Sequence, residues 1–182
     1  MWPSPPRCRS SRRSIPTRPL LSLKQQQLLT SDALRNHLRL RAQAGGSPDR
    51  AKVAESILKQ EMAFERAFVA AGGLLMAGPD PTGNGGVLPG FGDQRGMELL
   101  VEAGFTPVQA IQIATSNGAK FQGQFEHIGS IAVGKQADLV VLRGNPAERI
   151  QDVENVELVF KDGVAYNPAK LIEDTRGWMG LQ

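Results

Sequence analysis

Thiols and imidazoles are scarce in this sequence. The sequence has one cysteine, Cys8, and two histidines, His37 and His127. A single thiol excludes an internal disulfide framework and every zinc finger built on two or more cysteines. Two histidines so far apart exclude a complete histidine-rich centre. No apolar run approaches the ~18 residues of a membrane-spanning helix, which excludes an integral helical membrane protein. Acid is missing from the whole first stretch: through Ser31 there is no Asp or Glu, against Arg7, Arg9, Arg12, Arg13, Arg18 and Lys24. The formal charge of +3 therefore comes from a leader, because the remainder holds 15 of the 21 basic residues against all 18 acids. A hydrophobic content of 41% argues against a disordered or collagen-like chain and for one globular domain or slightly more.

Five of the 12 prolines (Pro3, Pro5, Pro6, Pro16, Pro19) fall among the first 20 residues, with Ser and Arg between them. Such a segment has too little apolar surface to offset the entropy of ordering it, so residues 1–30 are expected to form a basic, unordered leader. Three readings of it stay open: an organelle transit peptide, a basic arm for nucleic acid, or an unstructured or artefactual start. A secretory signal is excluded, since the apolar run at 19–23 is broken and short.

Beyond the leader the pattern is helical over 31–43, with Ser31 or Asp32 able to cap. A second helix opens with Ser47 as N-cap and Pro48 in the first position, and Gly72-Gly73 stops it. Val53, Ile57, Leu58, Phe64 and Phe68 are spaced for one broad apolar face. Residues 74–77, Leu-Leu-Met-Ala between glycines, are expected to be a buried strand. A Gly-rich connection covers 78–92, a helix 93–103, and Thr106-Pro107 opens another with a capping box. A short helical turn begins at Asn117. From Ile128 the texture is β: residues 139–142 read as a buried strand, and 158–166 as a hairpin turning at Asp162-Gly163. The fold class expected is α/β, the end of a helix-and-strand layer followed by a small sheet.

Residues 129–135 fit the first seven positions of a phosphate-binding loop, but Gln136 stands where Ser or Thr is needed, and a strand follows where a helix should open. A tight turn is the reading that remains. The loop at 83–92 never shows the G-x-G-x-x-G order of a dinucleotide site. Its glycines do allow backbone to approach a ligand, and a plain connector is the alternative. Asp80 follows the 74–77 strand between two prolines, at the strand edge where α/β folds place chemistry. Such an acid can ligate a metal or exchange protons with water, although a plain turn role is also open.

Taken in order, several stretches resemble one family: GPD at 78–80, ELLVEAGFTP at 98–107, ATSNGA at 114–119, GSIAVGKQADLVV at 129–141 and VFKDG at 159–163. Residues 70–170 resemble the C-terminal portion of the amidohydrolase superfamily, nearest its imidazolonepropionase-like and prolidase-like members. The resemblance implies a (β/α)8 barrel carrying the active site and a small β-sandwich, with 31–125 the last part of the barrel and 126–182 part of the sandwich and a tail. It implies that Asp80 accepts a proton from the attacking water, passes it to the leaving amine and can ligate the metal. Thr82, Gly83, Asn84, Gly85 and Gly86, within the loop 81–92, would line the substrate pocket. The implied activity is hydrolysis of non-peptide or dipeptide-like C–N bonds in a small amide or lactam. The implied cofactor is a divalent metal, zinc foremost, in full-length relatives.

The departures are equally concrete. Pro79 stands where family members usually have Thr or a similar residue. The H-x-H of the first barrel strand and the middle-strand ligands are missing, and 182 residues fall below the ~200 of the smallest such barrels. A catalytic zinc takes about three protein ligands, so this chain alone is expected neither to retain metal nor to turn over substrate. Two expectations follow: a truncated piece of an amidohydrolase, or a non-catalytic remnant or module that completes a barrel in trans. Exposed barrel edges would favour self-association. No nucleic-acid or membrane partner is expected, and the cytoplasm is the favoured compartment.

Overall fold

The computed structural model describes residues 21, 23–44, 48–79 and 90–178. Three helices come first: α1 (Leu23–Leu28), α2 (Ser31–Ala44) and α3 (Pro48–Ala70). Helix α1 lies inside the stretch expected to be leader. Leu28 is buried, and the Gln27 carbonyl accepts a hydrogen bond from the Gly177 backbone at 3.1 Å, so 23–30 are built into the fold. Residues 1–20 lie outside the described residues. The cap of α2 is Thr30, not Ser31 or Asp32: its Oγ1 accepts from the Ala33 N–H at 3.1 Å.

Helix α3 corrects the expected apolar face. Met62, Phe68 and Val69 pack against the core, but Val53, Ile57 and Phe64 are 60%, 45% and 59% exposed. The reason is length. Its 23 residues span roughly 35 Å, and the core meets only the C-terminal part.

Helices α4 (Phe91–Glu102), α5 (Pro107–Ala114) and α6 (Ser116–Phe121) follow. The capping box before α5 is complete: Thr106 Oγ1 accepts from the Gln109 N–H at 3.2 Å, and Gln109 Oε1 accepts from the Thr106 N–H at 2.9 Å. Glu98 is buried on α4 and is tied by Arg95 at 2.5 Å, which also reaches Glu102 at 2.6 Å. The core comprises Leu75, Leu100, Ala103, Phe105, Ala110, Ile113, Ile150 and Val153.

The last two come from a 3-10 turn at Ile150–Glu154, between β1 (Leu139–Leu142) and β2 (Val156–Lys161). The C-terminal part therefore closes the helical core as well as forming its own sheet. Gln94 on α4 reinforces the junction, its Nε2 donating to the Val153 carbonyl at 3.1 Å. Strands β1, β2 and β3 (Val164–Tyr166) form one antiparallel sheet in that order, with Leu139 opposite Phe160 and Phe160 opposite Ala165. The hairpin turn is where the sequence puts it. Asp162 and Gly163 both have positive φ, 52° and 79°, as a two-residue type I′ turn requires.

Strand β1 is not buried as expected: Val140 and Val141 are exposed, because the sheet lies beside the core and no second sheet among the described residues covers it. The expected strand at 74–77 is an extended segment with a single β-bridge at Met76, and only Leu75, 1% exposed, is fully buried there. Helix α7 (Pro168–Asp174), capped by Asn167 Oδ1 on the Lys170 N–H at 3.2 Å, was not anticipated. No helix among the described residues is long and apolar enough to cross a membrane.

Candidate functional site

Asp80, Thr82, Gly83, Asn84, Gly85 and Gly86 lie outside the described residues. What the structure shows is how the chain is delivered to them and received after them. On the entry side, the α3 C-terminus turns through Gly72 and Gly73, whose N–H groups donate to the Val69 and Phe68 carbonyls at 2.9 Å. The chain then runs extended, with Leu75 in the core. Two hydrogen bonds hold this run against the α5–α6 junction. Asn117 Nδ2 donates to the Leu75 carbonyl at 2.8 Å, and the Ala77 N–H donates to the Ile113 carbonyl at 3.3 Å. Gly78 and Pro79 follow.

On the exit side, Gly90 precedes α4, and Asp93 stands in its first turn. Desolvation pushes the Asp93 carboxyl above the ordinary aspartate value, against an opposing hydrogen bond from its own backbone. In the sequence Asp93 reads only as a helix start.

The phosphate-loop near miss at 129–135 is a structural clamp. Lys135 Nζ donates to the Phe125 carbonyl and, at 3.5 Å, to the Ile128 carbonyl, and it sits 3.9 Å from the centre of the Phe125 ring. Asp138 fastens the hairpin: its Oδ1 accepts from the Asp162 backbone at 2.9 Å, and its Oδ2 pairs with Lys161 Nζ at 2.9 Å. The Asp162 N–H, followed by Lys161, holds the Asp138 carboxyl below the ordinary value. Gln136 also bonds the Asp162 carboxylate. The whole stretch binds its own chain, which corresponds to the tight-turn reading.

Among the described residues no group of three or more His, Cys, Asp or Glu side chains is placed to hold a metal. His37 lies on α2, and His127 is exposed in a turn whose carbonyl accepts from Gln136 N at 2.9 Å. The described residues do not fit a metal centre by themselves.

Comparison with known proteins supplies the context. The family model described as "Amidohydrolase family" matches residues 29–166. Adenine deaminase 2 from Jannaschia sp. (strain CCS1) is 36% identical over 78 residues, which is 42% of this chain and 12% of that protein. A crystal structure of a Xaa-Pro dipeptidase with methionine bound in its active site is 33% identical, with a TM-score of 0.53 over 66% of this chain and 28% of that one. A candidate prolidase from Bifidobacterium longum is 25% identical, with a TM-score of 0.58 over 90% of this chain and 37% of that one. The chain thus spans between 12% and 37% of the length of each.

Proposed function

The chain belongs to the amidohydrolase family, and from that premise we propose that it is the C-terminal part of a hydrolase of carbon–nitrogen bonds, with Asp80 as its proton carrier. The observation that carries the reading is the family match over 29–166, which takes in the extended run, the loop and the 129–141 stretch together. In this reading 31–125 belong to the end of a (β/α)8 barrel and 126–182 to a β-sandwich and tail. Water adds to the electron-poor carbon, Asp80 takes the proton it sheds, and the same proton goes to the leaving nitrogen as the C–N bond breaks. The similar proteins suggest two substrates within one chemistry: a Xaa-Pro dipeptide, releasing an amine, and adenine, releasing ammonia. Thr82, Gly83, Asn84, Gly85 and Gly86 would line the pocket. Family members generally use a divalent metal. With two separated histidines, this chain is expected neither to retain one nor to turn over alone.

A second reading, a remnant or a module completing a barrel in trans, draws on one observation. Val53, Ile57 and Phe64 form an exposed apolar stripe on α3, a surface on which the chain would also self-associate. The test is elemental analysis of the purified chain and turnover of Xaa-Pro dipeptides and adenine with added zinc. These are run on the chain alone and on the chain co-expressed with the N-terminal barrel fragment of a relative. No turnover alone and restored turnover together, lost in Asp80→Asn, is the expected result. Restored hydrolysis that survives Asp80→Asn overturns the proton-carrier role. Metal-dependent turnover by the chain alone overturns its incompleteness.

A further inference from the structure

Helices α5 and α6 are consecutive, yet the helix breaks between them. Thr115 leaves the helical region (φ −122°, ψ −83°), and the helix restarts at Ser116. The hydroxyls of Thr115 and Ser116 bond back to the Ile111 and Gln112 carbonyls at 2.7 and 3.3 Å, which secures both sides of the break. At this break the Asn117 side chain crosses to the Leu75 carbonyl at 2.8 Å, joining residues 42 positions apart. The last α5 carbonyls take part as well, since Ile113 accepts from the Ala77 N–H. The extended run is thus pinned at two points two residues apart, and Asp80 follows the second pin by three residues.

The β part seats this clamp. Gly129 has φ +84°, and a Cβ there would stand 2.5 Å from the Ala119 Cβ and 3.1 Å from the Ser116 Cα. Only a glycine allows the turn that opens the 129–141 stretch to lie against the helix break.

We infer that Asn117 is a positioning residue: its amide, at the helix break on which Gly129 packs, fixes the extended run that precedes Asp80 in the sequence. That Asp80 does chemistry rests on the reading above; the clamp itself does not. An Asn is suited to the task because its side-chain N–H satisfies a carbonyl that lies outside any regular ladder, where an unmade bond is expensive.

The experiment is amide hydrogen exchange on the full chain, expressed as protection factors so that the intrinsic pH dependence is removed. Asn117→Ala should lower protection in 73–79 by about three- to tenfold, the worth of one hydrogen bond, while 107–114 and 150–154 keep theirs. Gly129→Ala should loosen 73–79 in the same way.

Asn117→Asp separates the bond from mere packing. As a carboxylate it offers only acceptors to the Leu75 carbonyl, but once protonated it is a donor again. Protection of 73–79 in this variant should therefore return as pH falls through about 4 to 5, near the ordinary Asp range, with no such recovery in Asn117→Ala. This comparison lies within one variant, so it holds even if Asn117→Ala fails to fold. Unchanged protection in 73–79, loss spread evenly over the chain, or no recovery in Asn117→Asp would each overturn the inference. Asp80→Asn should leave 73–79 unchanged, so failure of the proton-carrier reading and failure of the clamp are told apart.

Discussion

Gly144 offers a sharp test of how the β part is held together. It sits beyond β1 with φ +112°, a conformation side chains rarely adopt, and a Cβ there would lie 2.3 Å from Asp152 Oδ2 and 2.5 Å from its Cγ. The carboxylate cannot easily swing aside. Its Oδ1 accepts from both Arg149 Nε, at 2.8 Å, and Arg149 Nη2, and from Asn155 Nδ2 at 3.2 Å, while Oδ2 accepts from the Asn145 N–H at 2.9 Å. Asp152 is buried, and its neighbours Ile150 and Val153 are core residues. Gly144→Ala should cost about 1–3 kcal/mol from backbone strain alone, and more because the carboxylate must leave some of its donors. In urea unfolding followed by circular dichroism, the midpoint should fall with an unchanged slope. A double-mutant cycle isolates the collision with the carboxylate, since in an Asp152→Ala background its atoms are gone and Gly144→Ala should cost only its backbone share and the tight 3.1 Å contact with the remaining Cβ. A Gly144→Ala chain within about 0.5 kcal/mol of the parent, the range of ordinary surface changes, would refute the reasoning. An equal cost in both backgrounds would refute the contact.

Two further outcomes follow from single contacts. Thr106→Ala removes one half of the capping box at α5 and should cost about 1 kcal/mol in thermal or urea unfolding, whereas Thr106→Ser should largely retain the cap. Asp138 has its carboxyl held below the ordinary value of 3.8 by the Asp162 N–H and Lys161. Its contribution to stability is therefore present above that value and lost as pH falls through the depressed one. Asp138→Asn should flatten the acid limb of the stability–pH curve below about pH 4, and an acid limb identical to the parent's would contradict the pairing.

Local chemistry made much of the fold readable. The Thr106-Pro107 cap, the Asp162-Gly163 turn and the helices at 31–44, 91–102 and 107–114 are set by residues within one turn of each other, and each lies within two residues of its expected place. The errors are errors of environment. Val140 and Val141 read as buried because an apolar run carries no information about what covers it, and the uncovered sheet leaves them exposed. Val53 and Phe64 share a face with residues that do reach the core, but periodicity does not say how far along a long helix the core extends. Helix α1 was hidden by the composition around it, since its anchor is a contact with Gly177 far away in sequence. In the sequence Asn117 reads as a helix start, and only the fold brings it to the Leu75 carbonyl.

Three residues of the stretches that carry the resemblance do different work from Asp80, the one proposed to carry the chemistry. Lys135 caps carbonyls and covers a ring, Asp138 fastens a hairpin, and Asn117 pins an extended run; each is occupied with its own chain. Such clamps are demanding about residue type because each satisfies a specific donor or acceptor, so they mark a scaffold strongly. They are indifferent to what the scaffold acts on, because a fold does not by itself set a function. Substitutions in 129–141 should therefore report on folding, and the chemistry proposed above turns on Asp80. A carboxylate there can carry a proton, an amide cannot, and both serve a turn. Asp80→Asn in a chain completed by a relative's N-terminal fragment thus changes the one property the proposed reaction needs while leaving the scaffold's demands met.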